Sequence, residues 1–197
     1  MAGHTTGMLA TFTGFRTLMG SMRAATKAAK RSGGPMTDAL TAKQVADHAD
    51  LSTSDLIAKI DDLGPRAARW RATRPALFRR MPIKEEVGGQ EETWRMGYLL
   101  DVILTRDPWM HRIDIARATG REIELTSDHD GRIIADVVAE WARRHGKPFH
   151  LVLTGPANGE YLAGDNGEQL TIDAVEFCRT LAGRATGAGL LTQEVPF

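Results

Sequence analysis

The sequence predicts an α+β protein in which a helical bundle precedes a small α/β domain. Apolar residues recur at intervals of three and four through most of the first 125 residues, which is the period of an amphipathic helix. After Pro148 the pattern changes to alternation, and Asp165-Asn-Gly167 is a tight-turn signal between strands. We therefore divide the chain into a bundle at residues 1–125 and an α/β domain at residues 126–197.

Four helices are predicted in the bundle. The first ends at Ser32-Gly-Gly-Pro35, a strong stop, and the third begins at the capping residues Ser52 to Asp55. Pro65 is a potential kink in that third helix, and Gly7, Gly14 and Gly20 predict close helix contacts in the first. The predicted helices cover residues 4–31, 41–48, 52–70 and 93–118.

Residues 75–92 separate the third helix from the fourth and read as a loop, because two prolines and Gly88-Gly89 lie among charged residues. In the second half, Ser127 or Asp128 is expected to cap a helix that ends at His145-Gly-Lys-Pro148. The remaining predictions are strands at residues 149–154, 160–163 and 169–171, and a closing helix at residues 173–181.

Composition and charge narrow the class of protein. Twenty-five lysines and arginines balance 25 aspartates and glutamates, so no overall field favours nucleic acid or an anionic membrane. One cysteine, Cys178, excludes an intramolecular disulfide, and its context predicts a small buried side chain. The first residues lack the features of a signal peptide, and no apolar run reaches the roughly 20 residues of a membrane-spanning helix. We expect a cytoplasmic protein without nucleic-acid or membrane partners.

Asp107 and His111 are the strongest candidates for chemistry. Residues four apart lie on one face of a helix, and carboxylate and imidazole are common ligands of zinc and other divalent metals. Asp114, at the next turn, would ligate the metal or orient a ligand imidazole. An alternative reading is that Asp107 caps a helix that begins at Pro108, with Arg106 among the solvent-exposed charges around it. The spacing alone leaves both readings open.

The segment around these residues resembles a known family. Residues 99–120, LLDVILTRDPWMHRIDIARATG, with Trp109 between the two ligand candidates, are similar to the signature helix of the mycothiol-dependent maleylpyruvate isomerase family, part of the DinB-like metal-binding superfamily. Residues 149–156, 173–184 and 195–197 are similar to the small C-terminal domain of that family. The resemblance covers most of the chain and is dense in its last hundred residues.

The resemblance implies a DinB-like four-helix bundle that binds one divalent metal, usually zinc, and a sterol-carrier-protein-like C-terminal domain. The metal ligands would be Asp107, His111 and a histidine on an early helix. That histidine usually precedes an apolar-Ala-Gly segment, and Met1-Ala-Gly3 would place it just before the first residue. The resemblance therefore implies either that His4, one turn further along, is the third ligand, or that the start is truncated.

The family resemblance also implies an activity. The protein would be a metal-dependent S-transferase or isomerase in an actinobacterial cytoplasm, with mycothiol or a similar low-molecular-weight thiol as cosubstrate and a small electrophile as substrate, acting as a monomer or homodimer. The alternative is a non-catalytic relative with an incomplete metal site, a binding or stress-associated protein. A basic run at residues 66–80, with Trp70 and Phe78, is interpreted as a solvated helix face and not as a nucleic-acid surface.

Overall fold

The structure is a computed structural model that describes all residues 1–197. Helices account for 58% of the chain and strands for 15%, which confirms the α+β class. The residues form two compact units, Met1–Met81 and Pro82–Phe197. The predicted division at residue 125, the DinB-like bundle and the sterol-carrier-protein-like domain stay predictions. None of the helices combines the length and the apolar character needed to cross a membrane.

The N-terminal unit is entirely helical. Its first helix packs against the third and the fourth, and its second helix packs against the third. The capping residues predicted at Ser52 to Asp55 form a capping box, because the Ser52 hydroxyl accepts from the Asp55 amide while the Asp55 carboxylate accepts from the Ser52 amide. The helix that follows continues through Pro65. The helices are α1 (Ala2–Thr11), α2 (Phe15–Ser32), α3 (Met36–Ala46), α4 (Thr53–Ala72) and α5 (Ala76–Arg79).

The single first helix predicted over residues 4–31 is wrong, because α1 and α2 are separate. Gly14 has extended backbone angles and stands at the start of α2. Two threonine hydroxyls bond to nearby carbonyls at the break, that of Thr13 to Ala10 at 2.8 Å and that of Thr17 to Gly14 at 2.7 Å. Such side-chain bonds compete with the helix ladder and favour its ends. The apolar period continues across the break, so periodicity alone does not show it.

Close helix contacts were predicted at three glycines, and the structure has such a contact at Gly7 only. A Cβ atom built on Gly7 would lie 2.6 Å from the Cβ atom of Gln44, so α1 and α3 approach each other too closely there for any side chain. Gly14 has only the Thr17 hydroxyl nearby, and Gly20 has no atom within 4 Å. Gly7 is therefore a packing residue, whereas Gly20 lies on an open helix surface.

The C-terminal unit begins with a β-hairpin where a loop was predicted. Strands β1 (Pro82–Val87) and β2 (Gln90–Arg95) pair antiparallel, with Val87 opposite Gln90. Gly88 and Gly89 both have positive φ, at 56° and 76°, as a two-residue hairpin turn requires. The next helix begins only at Met96, because residues 93–95 belong to β2.

The remaining elements follow the prediction more closely. The last three strands form a second sheet, in which the first of the three is central, antiparallel to the second and parallel to the third. The elements after the hairpin are α6 (Met96–Tyr98), a π-helical segment (Leu99–Ile103), α7 (Leu104–Thr119), α8 (Asp130–His145), β3 (Phe149–Thr154), β4 (Gly159–Ala163), β5 (Glu168–Asp173), α9 (Ala174–Leu181) and a 3₁₀ turn (Gly189–Thr192).

The predicted cap of α8 is wrong, because neither Ser127 nor Asp128 holds that position. The helix begins after His129, and the buried carboxylate of Asp130 accepts from the amide of Thr126 at 2.7 Å. At α9 the predicted start is correct, since the Asp173 side chain accepts from the amides of Val175 and Glu176.

The core of the C-terminal unit packs side chains of α7 against those of the α/β module, which is here residues 126–197. Cys178 is fully buried in this core, as predicted, and burial raises the pKa of its thiol. Because α7 contributes to the same core, the α/β module is not packed independently of the helix that bears Asp107 and His111. The main core side chains are Trp109, Met110, Ile113, Ile134, Val137, Trp141, Phe149, Leu151, Leu153, Phe177, Cys178 and Leu181.

Candidate metal centre

Asp107 lies inside α7 and does not cap it. The helical backbone runs from Met96 through the π-helical segment into α7, and Asp107 stands in the first α-helical turn after that segment. The alternative reading, in which Asp107 caps a helix beginning at Pro108, is therefore wrong. The carboxylate therefore belongs to a formed helix, on the face that Asp107 shares with His111.

Pro108 accounts for the irregular backbone that precedes Asp107. A proline inside a helix has no amide hydrogen for the carbonyl four residues earlier, and its ring crowds that carbonyl, which here belongs to Leu104. Leu104 stands at the end of the π-helical segment with ψ at 5°, away from helical values. A π-helical turn is a frequent feature of helices at functional sites, because it changes which side chains share a face.

Asp107, His111 and Asp114 are brought together on one face of α7. The Oδ1 atom of Asp107 lies 3.4 Å from the Nε2 atom of His111, and the Oδ2 atom of Asp114 lies 3.6 Å from the Nδ1 atom of the same ring. All three side chains are largely buried. The imidazole is thus placed between two carboxylates, one beside each ring nitrogen.

Two arginines hold Asp114 in place. Arg184 donates from Nε to both carboxylate oxygens, at 2.9 and 3.2 Å, and Arg179 donates from Nη1 to Oδ1 at 3.2 Å. Arg179 is on α9 and Arg184 follows it, so these bonds connect the candidate site to the C-terminal helix. A carboxylate that is already bound to two cations is better placed to orient His111 than to ligate a metal itself.

A hydrogen-bond network around Arg106 links α7 to α8. The Arg106 guanidinium is only 1% exposed; it donates to the Asp136 carboxylate at 2.7 Å, the Glu140 carboxylate at 2.8 Å and the carbonyl of Pro196 at 3.1 Å. The hydroxyl of Tyr98 donates to the other oxygen of Glu140 at 2.6 Å. Arg106 was among the residues that the alternative reading placed on the surface, and that placement is wrong.

Glu140 is the charged centre of this network. Burial alone would raise the pKa of its carboxyl, but the hydrogen bond from Tyr98, the charge of Arg106 and the bond from Arg144 outweigh burial and hold the pKa below its usual value of 4.5. Arg144 extends the network to the hairpin through two bonds to Glu92, at 2.7 and 3.1 Å. Sequence reasoning missed Glu140; the only available signal is the spacing of four between Asp136, Glu140 and Arg144 on one helix.

Trp109 points away from the candidate ligands and into the core. Its Nε1–H donates to the carboxylate of Asp130 at 2.8 Å, and Arg112 donates to the same oxygen at 2.7 Å. The ring stacks on Phe197 with 6.5 Å between centroids. Trp109 is therefore a structural residue of α7 and not a metal ligand.

His4 lies on α1 of the N-terminal unit, on the same helical face as the buried residues Met8 and Thr11. Its side chain is half-buried. Its part in the metal site stays a prediction.

Comparison of the chain with protein-family models, with curated proteins and with solved structures gave no match.

Proposed function

We propose that this chain is a metal-dependent thiol S-transferase or isomerase of the mycothiol-dependent maleylpyruvate isomerase family, acting on a small electrophile. The observation that carries the proposal is the Asp107–His111 pair, whose nearest ligand atoms lie 3.4 Å apart on one face of α7. The family resemblance of residues 99–120 supports the same assignment.

The geometry of the pair suits zinc. Zinc bonds to nitrogen and oxygen ligands are about 2.0–2.1 Å long, so two such atoms in a tetrahedral site are about 3.3 Å apart. The observed 3.4 Å between Nε2 of His111 and Oδ1 of Asp107 matches that separation without movement of the helix. The donor set of one carboxylate and one imidazole also suits a divalent first-row metal.

Three protein ligands would leave one position open, as in catalytic zinc sites. In the proposal Asp107 and His111 supply two ligands and His4 supplies the third. A bound divalent cation would stabilise the thiolate form of a low-molecular-weight thiol at neutral pH. The chain itself holds Nδ1 of His111 beside Asp114, and Arg179 with Arg184 compensates the charge of that carboxylate.

Metal analysis of the purified chain tests the proposal directly. We expect about one zinc ion per chain after equilibration with zinc at pH 7, and loss of that zinc in Asp107→Ala, in His111→Ala and in His4→Ala. Asp128→Ala and His129→Ala are matched controls, because both are residues of the same types with exposed side chains on the same unit. A chain that binds no zinc would contradict the metal site.

Catalysis requires a second measurement. The zinc-loaded chain should accelerate the conjugation of mycothiol to a small halide electrophile, and His111→Ala should remove the acceleration. A chain that binds zinc through these residues and accelerates no thiol reaction would contradict the enzymatic activity. A chain that binds no zinc and accelerates no thiol reaction would support the alternative, a non-catalytic relative with an incomplete metal site.

A further inference from the structure

The two units have opposite net charges, although the chain as a whole is neutral. Residues 1–81 contain 13 lysines and arginines and six aspartates, with no glutamate, which gives a net charge of +7. Residues 82–197 contain 12 lysines and arginines and 19 aspartates and glutamates, which gives −7. The expectation of no membrane partner rested on overall neutrality, and that premise does not hold for the N-terminal unit.

A row of cations without ion-pair partners lies along α2. Arg16, Arg23, Lys27 and Lys30 follow one another at intervals of seven, four and three, so they share a side of the helix. All four are exposed, and α2 contains no acidic residue. None of them forms an ion pair, whereas Arg66 is paired with Asp62 and Lys43 with Asp47 elsewhere in the unit. The exposed side of α2 therefore carries an uncompensated positive charge.

Exposed apolar side chains lie beside the cations. On α2, Phe15 and Met19 are 50% and 48% exposed, one turn apart. The ring of Phe15 contacts that of Phe78 on α5 at 5.5 Å between centroids, and the neighbour of Phe78, Leu77, is 81% exposed. A group of large, exposed apolar side chains marks a binding surface more often than single exposed ones do.

We propose that the cation row of α2, together with Phe15, Met19 and Leu77, docks the N-terminal unit onto an anionic lipid surface. Lysine and arginine beside aliphatic and aromatic side chains are the combination that lets a helix lie at a membrane interface. The charges attract the anionic headgroups, and the apolar side chains enter the acyl boundary.

A lipid surface fits these residues better than a nucleic acid does. Phosphate groups of either partner would neutralise the cation row. Only the lipid offers an apolar region for Met19 and Leu77, since single-stranded bases stack on rings and the one strongly exposed ring here is Phe15. The Arg74 guanidinium already lies 5.0 Å from the centre of that ring, so one face is occupied.

Vesicle co-sedimentation of the full chain tests the proposal. The probes are vesicles of phosphatidylcholine alone and of phosphatidylcholine mixed with phosphatidylglycerol. We expect binding only to the anionic vesicles, weakened by added salt. Each cation near the surface contributes about fivefold to the partition coefficient, so changing all four of Arg16, Arg23, Lys27 and Lys30 to glutamine should reduce it at least about a hundredfold. Leu77→Asn should reduce it about tenfold.

Matched controls come from the C-terminal unit. Leu162→Asn replaces an equally bulky side chain that is 73% exposed on β4, and it should bind as the unchanged protein does. Changing Arg121, Arg132, Arg143 and Lys147 to glutamine removes the same number of charges from exposed positions of the other unit, and vesicle binding should persist. Circular dichroism checks that each variant keeps its helix content.

Two results would overturn the proposal. One is equal binding of the unchanged chain and the α2 glutamine variant to anionic vesicles. The other is no binding of the unchanged chain to anionic vesicles. Salt-dependent binding to a DNA strand, lost in the α2 glutamine variant, would then assign the surface to nucleic acid. If Leu77→Asn binds anionic vesicles as tightly as the unchanged chain, the insertion of apolar side chains is wrong.

Discussion

At the scale of single residues, Asp114 shows how a candidate ligand becomes a supporting residue. From the spacing it is equivalent to Asp107, because both are one turn from His111. In the structure Arg179 and Arg184 hold its carboxylate, and the side chain faces Nδ1 of His111 while Asp107 faces Nε2. The two ring nitrogens of His111 therefore have different neighbours. The candidate ligand Asp107 lies beside Nε2, and a carboxylate already bound to two arginines lies beside Nδ1.

Asp114→Asn should weaken zinc binding without removing the ligands. A carboxylate next to a ligand imidazole orients the ring and raises its basicity, and its loss lowers metal affinity about 10–100-fold. Competition with a chromophoric chelator at pH 7 measures this change. Glu176→Gln removes another acidic partner of Arg179 and is the matched control. An Asp114→Asn chain with unchanged zinc affinity would contradict the orienting role.

Glu140→Gln should change the pH dependence of stability. Because the pKa of Glu140 is held below 4.5 in the folded chain, its contribution is present above pH 4.5 and is lost as pH falls through the lower, folded-state pKa. The variant should lose less stability between pH 5 and 3. At pH 7 it should be less stable by about 2 kcal/mol, because Arg106 and Arg144 lose a charged acceptor.

Urea unfolding at a series of pH values measures both effects of Glu140→Gln. Glu122→Gln, at an exposed position of the same unit, should follow the profile of the unchanged chain. If the Glu140→Gln profile has the same shape as that of the unchanged chain, Glu140 is not the group that titrates.

At the scale of elements, close packing separates two glycines that look alike in the sequence. Gly7→Ala should destabilise the chain by about 1–3 kcal/mol, because its Cβ would overlap Gln44 on α3. Gly20→Ala should instead stabilise it by about 1 kcal/mol, since alanine favours the helix and nothing lies within 4 Å. Urea midpoints of the two variants should move in opposite directions, and equal shifts would contradict the packing at Gly7.

The elements that sequence could predict are those with local signals. The capping residues Ser52 to Asp55, the alternation of β3 and the start of the closing helix at Asp173 are each signalled by residues within the element itself. The hairpin was missed because its inward residues, such as Ile83 and Val87, are only half-buried among charges. The break near Gly14 was missed because the apolar period crosses it.

The same distinction between local signals and long-range contacts applies to the candidate site. The spacing of Asp107 and His111 was visible because a helix turn is a local rule. The partners of Arg106 are 30 and 34 residues away on another helix, and the arginines on Asp114 are 65 and 70 residues away. Contacts at such separation depend on packing, which no periodicity in this sequence encodes.

At the scale of the whole molecule, the boundary between independently folding parts is testable. A fragment of residues 82–197 should fold cooperatively, because it contains the complete core that α7 shares with the sheet. A fragment of residues 126–197 should not, because it lacks Trp109, Met110 and Ile113 from that core. Thermal unfolding followed by near-ultraviolet circular dichroism distinguishes the two. Cooperative unfolding of the shorter fragment would support the boundary at residue 125.

The burial of Cys178 makes the chain a reporter of its own unfolding. Its thiol is shielded by the core and its pKa is raised, so a thiol-specific dye reacts only while the C-terminal unit is open. The labelling rate in native buffer therefore measures how often that unit opens, with no second cysteine to confuse the signal. A protein proposed to handle small thiols thus protects its own sulfur from mixed disulfides for as long as it stays folded.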